Sequence, residues 1–335
     1  MRTSIASVFV TATALTACTP STTNPGDVAS TDAVTDTAVA MDVAPSTDVV
    51  ADSPAVSYDG NADAATGGAY TVHMPGVTVM PGEETTQCVE LPLGNTGAEL
   101  IRHIHVSLAP GSHHLIFYRS TATTPNMTPT PCNPLGGIQT GSAPLFIAQA
   151  AESDLVVPDN AGISIAANQM IRVEEHFLNV TTAPIVGTGT ITVDSVPESS
   201  GLTPADLFFW GTQNISVAAH TMGSADFFNT VRTGVHIFGL TAHEHHFGTL
   251  TTITQAASAT AMGTELYRNT NWAEPPLHQY APPLAFDGSD GLHLHCEYNN
   301  TSDGTLTFGE SAATDEMCFL WAYYYPSHGF DIRIR

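Results

Sequence analysis

The sequence predicts an all-β protein made of two consecutive antiparallel β-sandwich lobes of the jelly-roll type. Three observations support this prediction. Apolar runs are short and are separated by turn residues, as at positions 80–82 and 109–111, which read Met-Pro-Gly and Ala-Pro-Gly. Glycine and proline are abundant, with 27 and 22 residues, and both interrupt regular helices. No segment shows a helical apolar pattern over more than two turns.

The first 18 residues are predicted to be an export signal. Arg2 supplies the positive start, and the moderately apolar segment that follows is too short to span a bilayer. It ends in Leu-Thr-Ala-Cys at positions 15–18, which resembles the bacterial lipobox. This resemblance implies cleavage before Cys18, acylation of Cys18 and, because Thr19 follows, sorting to the outer membrane. The alternative is an ordinary cleaved signal peptide.

Residues 19–67 are predicted to form a disordered acidic tether. They consist mainly of Thr, Ala, Ser, Asp, Pro and Val and include almost no large side chain. Such a segment cannot bury enough apolar surface to offset the entropy lost on ordering. We therefore expect one lobe over residues 68–198 and a second over residues 199–335.

Each lobe is predicted from a series of strand-like apolar runs. In the first lobe the runs cover residues 70–74, 86–91, 100–108, 114–119, 170–178 and 189–196. In the second lobe they cover residues 207–210, 215–219, 235–240, 249–254, 292–298, 305–308 and 318–325. This spacing fits two β-sandwiches joined near residues 197–204.

Charge and cysteine content restrict the possible partners and the compartment. The formal net charge is −24, so electrostatic binding of nucleic acid or anionic lipid is not expected. Four cysteines follow Cys18, and four cysteines allow three disulfide pairings. In an exported protein they are expected to be paired rather than free.

Positions 242–248 read Ala-His-Glu-His-His-Phe-Gly and give the strongest chemical signal in the sequence. Apolar residues on both sides indicate a β-strand, in which residues i and i+2 point to the same face. His243 and His245 can therefore bind one metal ion, whereas His246 points to the opposite face. Taken alone, the pair is also compatible with surface or core histidines.

Three further groups of candidate ligands occur elsewhere. His113 and His114 follow a Pro-Gly turn, and they can bind one ion together only if the backbone is irregular there, because neighbours on a regular strand face opposite ways. His176 lies in a predicted strand that reads Val-Glu-Glu-His-Phe. Met317 lies in the sequence Asp-Glu-Met-Cys, and a methionine taken alone more often indicates core packing.

Five motifs thus follow one another along the chain: Cys88 before Leu-Pro, the pair at His113, the lone His176, the His-Glu-His-His-Phe-Gly sequence at His243 and the Asp-Glu-Met-Cys sequence at Met317. In this order they resemble the copper type II, ascorbate-dependent monooxygenases, the group of peptidylglycine α-hydroxylating monooxygenase and dopamine β-monooxygenase. The resemblance covers roughly residues 70–326.

The resemblance implies two copper ions per chain, bound in a cleft between the lobes. The ligands of the ion in the first lobe would be His113, His114 and His176. The ligands of the ion in the second lobe, where catalysis would take place, would be His243, His245 and Met317. These residue types agree with copper, because imidazole suits both of its oxidation states and a thioether favours Cu(I).

The resemblance also implies the disulfide pairs Cys88–Cys132 and Cys296–Cys318. The second pair would close a loop of about 22 residues and hold the strand next to Met317 against its neighbour. The first pair would brace the loop that follows His113 and His114.

The activity implied by the resemblance is copper-dependent hydroxylation of a small organic substrate. O2 and a one-electron donor such as ascorbate would be the co-substrates. The alternative function is that of a surface lipoprotein that binds or delivers copper without catalysis.

Three positions depart from the pattern of the peptide-amidating members of the family. Thr241 stands where they carry Arg, Phe319 where they carry Asn, and Trp321 where they carry a Tyr that helps to hold the peptide carboxylate. Without the Arg, this carboxylate would lose its charge-assisted partner, which argues against a peptidylglycine substrate. The aromatic residues indicate either a more apolar pocket or core packing.

Two further His-x-His pairs, His103 with His105 and His293 with His295, are interpreted as exposed strand faces. The alternatives are hydrogen bonding to metal ligands and adventitious copper binding.

Overall fold

The computed structural model describes residues 67–335, so the predicted signal peptide, Cys18 and nearly all of the tether lie outside the described residues. The described chain is almost entirely β-structure, which confirms the predicted all-β fold class. Its helical segments are a single turn, α1 (Gly136–Gln139), and a 3₁₀ turn (Glu198–Ser200). Neither of these, nor any other part of residues 67–335, provides a helix with the length and hydropathy needed to cross a membrane.

Twenty-three strands follow one another in the described chain. The first twelve are β1 (Ala69–His73), β2 (Val77–Val79), β3 (Glu84–Pro92), β4 (Glu99–Leu108), β5 (Ser112–Arg119), β6 (Asn126–Pro131), β7 (Ala143–Ala148), β8 (Glu152–Val156), β9 (Ala161–Ile165), β10 (Met170–Leu178), β11 (Ile185–Gly187) and β12 (Gly189–Pro197). The remaining strands are β13 (Thr203–Thr212), β14 (Ser216–Val217), β15 (Thr221–Thr230), β16 (His236–His243), β17 (Gly248–Ala256), β18 (Thr264–Asn269), β19 (His278–Ala285), β20 (Gly291–Asn300), β21 (Leu306–Thr307), β22 (Cys318–Tyr325) and β23 (Asp331–Ile334).

The first lobe is a β-sandwich of two layers. One layer has the order β1-β12-β4-β9, with β8 paired to β4, and the other has the order β6-β3-β10-β5-β7. Side chains from both layers, such as Ile104 of β4, Phe117 of β5 and Val173 of β10, are fully buried in one apolar cluster. The alternation of apolar residues along each strand thus fills the space between the layers.

The second lobe has the same plan. Strands β13, β22, β16 and β19 form one layer, and β15, β20, β17 and β18 form the other. Phe227 of β15, Ile253 of β17, Leu294 of β20 and Leu320 of β22 belong to the apolar cluster between these layers.

One sheet continues through both lobes. Strand β9 pairs antiparallel with β4 and parallel with β13, so the strand order runs β1-β12-β4-β9-β13-β22-β16-β19. Phe319, Trp321 and Tyr323 of β22 pack into the buried cluster of the first lobe, while Leu320 and Ala322 pack into that of the second. Strand β22 therefore has apolar side chains on both faces, because each face covers a different core.

Two strands that contain prolines were not predicted from the sequence. Strands β6 and β19 each contain two prolines and lie at the edge of their sheets. An edge strand tolerates proline because one of its sides needs no N–H donor.

Candidate metal centre

A β-bulge at His113 brings two neighbouring histidines to the same cluster. On the paired strand β10, His176 lies opposite His114 and Phe177 lies opposite Ser112, so His113 has no partner in this ladder. The irregular backbone that two adjacent ligands require is therefore present.

The three histidines of the first lobe form a compact, buried group. Their ring centroids are 5.2 Å apart for His113 and His114, 5.5 Å for His113 and His176, and 5.0 Å for His114 and His176. One ligand nitrogen from each ring lies within 4.8 Å of the other two, which is a spacing compatible with one metal ion.

The His-x-His pair of the second lobe lies at the end of a strand rather than within it. Strand β16 ends at His243, and His245 is in the turn that follows, so the expected continuous strand is not found. The two rings are nevertheless 5.0 Å apart between centroids, and both are buried. His246 is exposed and its ring contacts Trp272, so it lies outside this pair, as expected.

Met317 lies beside this histidine pair. It is buried, directly precedes β22 and lines the same cavity as His243 and His245. Glu316 holds the two segments together, because its carboxylate accepts the backbone N–H groups of His245 at 2.8 Å, Phe247 at 2.7 Å and Met317 at 3.1 Å. Burial raises the pKa of Glu316 to about 7 in spite of these donors.

The two expected ligand sets are in contact rather than separated. The ring centroid of His113 lies 5.3 Å from that of His243 and 5.7 Å from that of His245, nearly as close as rings within each set. Ligand nitrogens of these three residues lie within 4.8 Å of one another, so His113 belongs to two possible triads. One cavity between the lobes is lined by residues of both sets, namely His114, His176, His243, His245 and Met317.

Burial favours the neutral form of four of these imidazoles, those of His113, His114, His243 and His245. It lowers the pKa of His113, His114 and His243 well below the ordinary value, and neighbouring imidazoles add to the effect. For His245, burial lowers the pKa to about 4. A neutral imidazole has a lone pair that can bind a metal.

Several buried nitrogens of the cluster have no hydrogen-bond partner. They are Nε2 of His113, both ring nitrogens of His114 and Nδ1 of His176. Each unpaired buried polar atom costs about 1–3 kcal/mol, and metal coordination would satisfy one nitrogen of each ring. Imidazoles beside one thioether form a donor set suited to copper, so the residues present fit this metal.

Gln149, which the sequence analysis missed, orients a ligand of the second lobe. Its Oε1 accepts a hydrogen bond from Nδ1 of His243 at 2.5 Å, and its Nε2 donates to the carbonyl of Ala242 at 3.0 Å. The hydrogen bond fixes the proton on Nδ1, so Nε2 of His243 is the nitrogen that can bind a metal.

Glu84 of β3, also missed, orients a ligand of the first lobe. Its carboxylate lies 3.0 Å from Nε2 of His176 and accepts hydrogen bonds from the Ser311 hydroxyl and the Ala312 N–H, both at 2.7 Å. Burial acts to raise the pKa of Glu84, but these hydrogen bonds outweigh it and lower the pKa to about 2. No local sequence pattern marks Glu84 or Gln149, because their partners are distant in sequence.

Both disulfides implied by the family resemblance are present. Cys88–Cys132 links β3 to the segment after β6, and Cys296–Cys318 links β20 to β22 next to Met317. The second disulfide thus fixes the residue that follows a candidate ligand.

Thr241, Phe319 and Trp321, the three residues that differ from the peptide-amidating enzymes, have different surroundings. The Thr241 hydroxyl donates to the carbonyl of Pro276 at 2.8 Å, and Phe319 packs in the core. Trp321 packs in the core and also lines the cavity between the lobes.

Comparisons with known proteins agree with the second-lobe motifs. Residues 213–332 match the family described as copper type II ascorbate-dependent monooxygenase, C-terminal domain. Tyramine β-hydroxylase of Caenorhabditis briggsae is 27% identical over 107 residues, which cover 31% of this chain but only 18% of that relative's length.

Similarity to solved structures is low. The STIV MCP has a TM-score of 0.33 at 11% identity, with 77% of this chain and 97% of that chain covered. The major capsid protein P2 of bacteriophage PM2 has a TM-score of 0.32 at 10% identity, with 76% and 97% covered. Neither similarity carries an argument about this protein.

The match over residues 213–332 includes His243, His245 and Met317, the three second-lobe residues that meet at the cavity. In this segment the chain is similar to the C-terminal domain of the copper type II, ascorbate-dependent monooxygenases.

Proposed function

We propose that the protein is a copper-dependent monooxygenase that hydroxylates a C–H bond of a small organic substrate, using O2 and a one-electron donor such as ascorbate. The observation that carries the proposal is that four buried imidazoles and the Met317 side chain line one cavity, with the buried His113 ring packed against them and several ring nitrogens without partners. One oxygen atom would enter the substrate, and the other would leave as water after uptake of two electrons and two protons.

The residues would divide between two copper ions. His113, His114 and His176 would hold one ion, and His243, His245 and Met317 would hold the other. Bound copper would supply the redox chemistry of oxygen insertion. His113 belongs to both possible triads, so the two ligand sets adjoin each other in this arrangement of the lobes.

The remaining residues of the site would act on ligands and substrate. Gln149 and Glu84 would hold His243 and His176 in the tautomer that leaves one nitrogen for the metal. The apolar side chains of Ile116 and Phe209 line the cavity and would exclude water from the reacting groups.

The substrate would be apolar near the cavity and would not be held through a terminal carboxylate. Thr241 offers no positive charge and its hydroxyl donates to a backbone carbonyl. Trp321 lines the cavity and presents an aromatic surface.

We also propose that Cys18 is lipidated and that the acidic tether holds the enzyme at a bacterial membrane, most simply the outer membrane. The support for this proposal is the Leu-Thr-Ala-Cys sequence at positions 15–18 after an apolar segment.

The proposed function is tested with the full chain after copper loading. Metal analysis should give two copper ions per chain, and O2 uptake with ascorbate should rise on addition of a substrate from a panel of phenethylamine-like and peptide compounds. The product should be heavier by one oxygen atom. His243→Ala should abolish this uptake, whereas His73→Ala, a change at an exposed histidine, should not.

The second candidate function is copper capture or delivery without catalysis. The observation that favours it is the loss of the Arg, Asn and Tyr pattern at Thr241, Phe319 and Trp321. Two bound copper ions without substrate-stimulated O2 uptake by any compound of the panel would support this function and contradict the first.

A further inference from the structure

Two clusters of the same composition lie on exposed strand faces, one in each lobe and outside the cavity. The second-lobe cluster consists of His293, His295 and Asp226. The first-lobe cluster consists of His103, His105 and Asp154. We propose that each cluster binds one divalent transition-metal ion through two imidazole nitrogens and a carboxylate oxygen.

In the second-lobe cluster, strand geometry brings the three side chains together. His293 and His295 are two residues apart on β20 and therefore share a face, and Asp226 lies opposite His295 on β15. The same carboxylate oxygen, Oδ1 of Asp226, lies 2.9 Å from Nε2 of His293 and 2.8 Å from Nδ1 of His295.

The first-lobe cluster repeats this arrangement with different strands. His103 and His105 share a face of β4, and Asp154 lies opposite His105 on β8. Oδ1 of Asp154 lies 2.8 Å from Nε2 of His103 and 3.0 Å from Nδ1 of His105.

In three of the four histidines, the ring nitrogen that does not contact the shared aspartate lies next to a further carboxylate. Glu297 lies 3.3 Å from Nε2 of His295, Glu152 lies 3.2 Å from Nε2 of His105, and Asp194 lies 3.4 Å from Nδ1 of His103. In metal-bound histidines the ring nitrogen that does not bind the metal usually donates its hydrogen to a carboxylate. This hydrogen bond fixes the tautomer and raises the basicity of the metal-binding nitrogen.

The donor set determines the class of ion. Two imidazole nitrogens and a carboxylate oxygen suit Zn²⁺ and Cu²⁺, whereas Ca²⁺ and Mg²⁺ prefer sites made of oxygen atoms. The clusters are partly exposed, with side-chain exposures of 18–35% for the four histidines and 49–50% for the two aspartates. The ion is therefore accessible from solvent and can replace the protons that the hydrogen bonds now share. The partly exposed imidazoles turn toward the ion, because the three donor atoms do not yet all lie within the 4.8 Å found for the cavity triads.

Metal binding at these clusters is independent of the proposed catalytic function. It is tested by comparing the number of Zn²⁺ ions bound by variants of the full chain. Zn²⁺ is the probe because it is redox-silent, and it is titrated into the metal-free chain. The cavity is unchanged in every variant, so Zn²⁺ bound there cancels when the variants are compared. Titration by calorimetry should show that His293→Gln/His295→Gln and His103→Gln/His105→Gln each bind one Zn²⁺ ion fewer than the wild type. The quadruple variant should bind two fewer.

A matched control is the double variant His73→Gln/His220→Gln. Both histidines are exposed, and His220 makes a single ion pair with Asp303 at 3.0 Å but has no second histidine beside it. This variant should bind as much Zn²⁺ as the wild type. Asp226→Asn and Asp154→Asn keep the histidines and should weaken Zn²⁺ binding at the respective cluster at least tenfold. Equal Zn²⁺ stoichiometry in the wild type and the quadruple variant would overturn the proposal, as would an equal loss in the control.

Discussion

Gln149 of the first lobe holds the ring of His243 in the second lobe, with 2.5 Å between Oε1 of the glutamine and Nδ1 of the histidine. Its Nε2 is fixed in turn by the carbonyl of Ala242 at 3.0 Å. Because an amide oxygen only accepts hydrogen bonds, this contact places the proton on Nδ1 and reserves Nε2 for a ligand. One lobe thus sets the tautomer of a candidate copper ligand in the other.

Gln149→Leu should weaken copper binding at the second-lobe site about 10- to 100-fold, because the histidine loses the group that orients it. Competition with a Cu(I) chelator measures this affinity. Gln255→Leu is a suitable control, since Gln255 pairs with Asp290 away from the cavity. Unchanged affinity in the Gln149 variant would show that the contact has no role in binding.

Met317→Ile should abolish substrate-stimulated O2 uptake and reduce the copper content from two ions per chain to one. Isoleucine fills the buried volume but offers no thioether, so the ion held by the first-lobe histidines should remain. Met262→Ile, at a fully exposed methionine, should change neither quantity. Full turnover by the Met317 variant would contradict the assignment of this residue as a ligand.

Glu84→Gln should lower the free energy of unfolding of the metal-free protein by about 2 kcal/mol, because hydrogen bonds to a charged group are lost. The carboxylate joins His176 to Ser311 and Ala312, which are far away in sequence. Urea unfolding followed by fluorescence measures the change. The neighbouring Glu83→Gln variant alters an exposed residue and should differ little from the wild type.

The double variant Cys296→Ser/Cys318→Ser should unfold with a free energy lower by about 3 kcal/mol, the value expected for a loop of this length. The disulfide spans 22 residues and lies next to Met317, so copper affinity at the second-lobe site should fall as well. Denaturant unfolding and chelator competition check the two effects. If stability dropped while copper affinity stayed the same, the disulfide would support the fold but not the site.

Cys18→Ser should move the protein from the membrane fraction to the soluble fraction and prevent its labelling by a clickable fatty acid in a bacterial host. Thr19→Ser keeps the lipobox and serves as the control. Labelling of the Cys18 variant would refute lipidation at this position.

Much of the strand content and the candidate ligands could be predicted from the sequence, because both are encoded in local patterns. The runs predicted at 170–178 and 318–325 coincide with β10 (Met170–Leu178) and β22 (Cys318–Tyr325). Strand β22 is a continuous apolar segment, and β10 carries apolar residues at alternate positions such as Ile171 and Val173. Edge strands with prolines, such as β6 and β19, escaped prediction because their local pattern does not resemble a strand.

The contacts between these parts could not be predicted from local patterns and are seen in the folded chain. The parallel pairing of β9 with β13 makes one sheet of two lobes. The rings of His113 and His243 are in contact, so the ligand sets predicted for the two lobes adjoin each other. Gln149 and Glu84 acquire their roles from partners far along the chain. Such contacts depend on how whole sheets pack against each other, whereas strand periodicity specifies only the face on which a side chain lies.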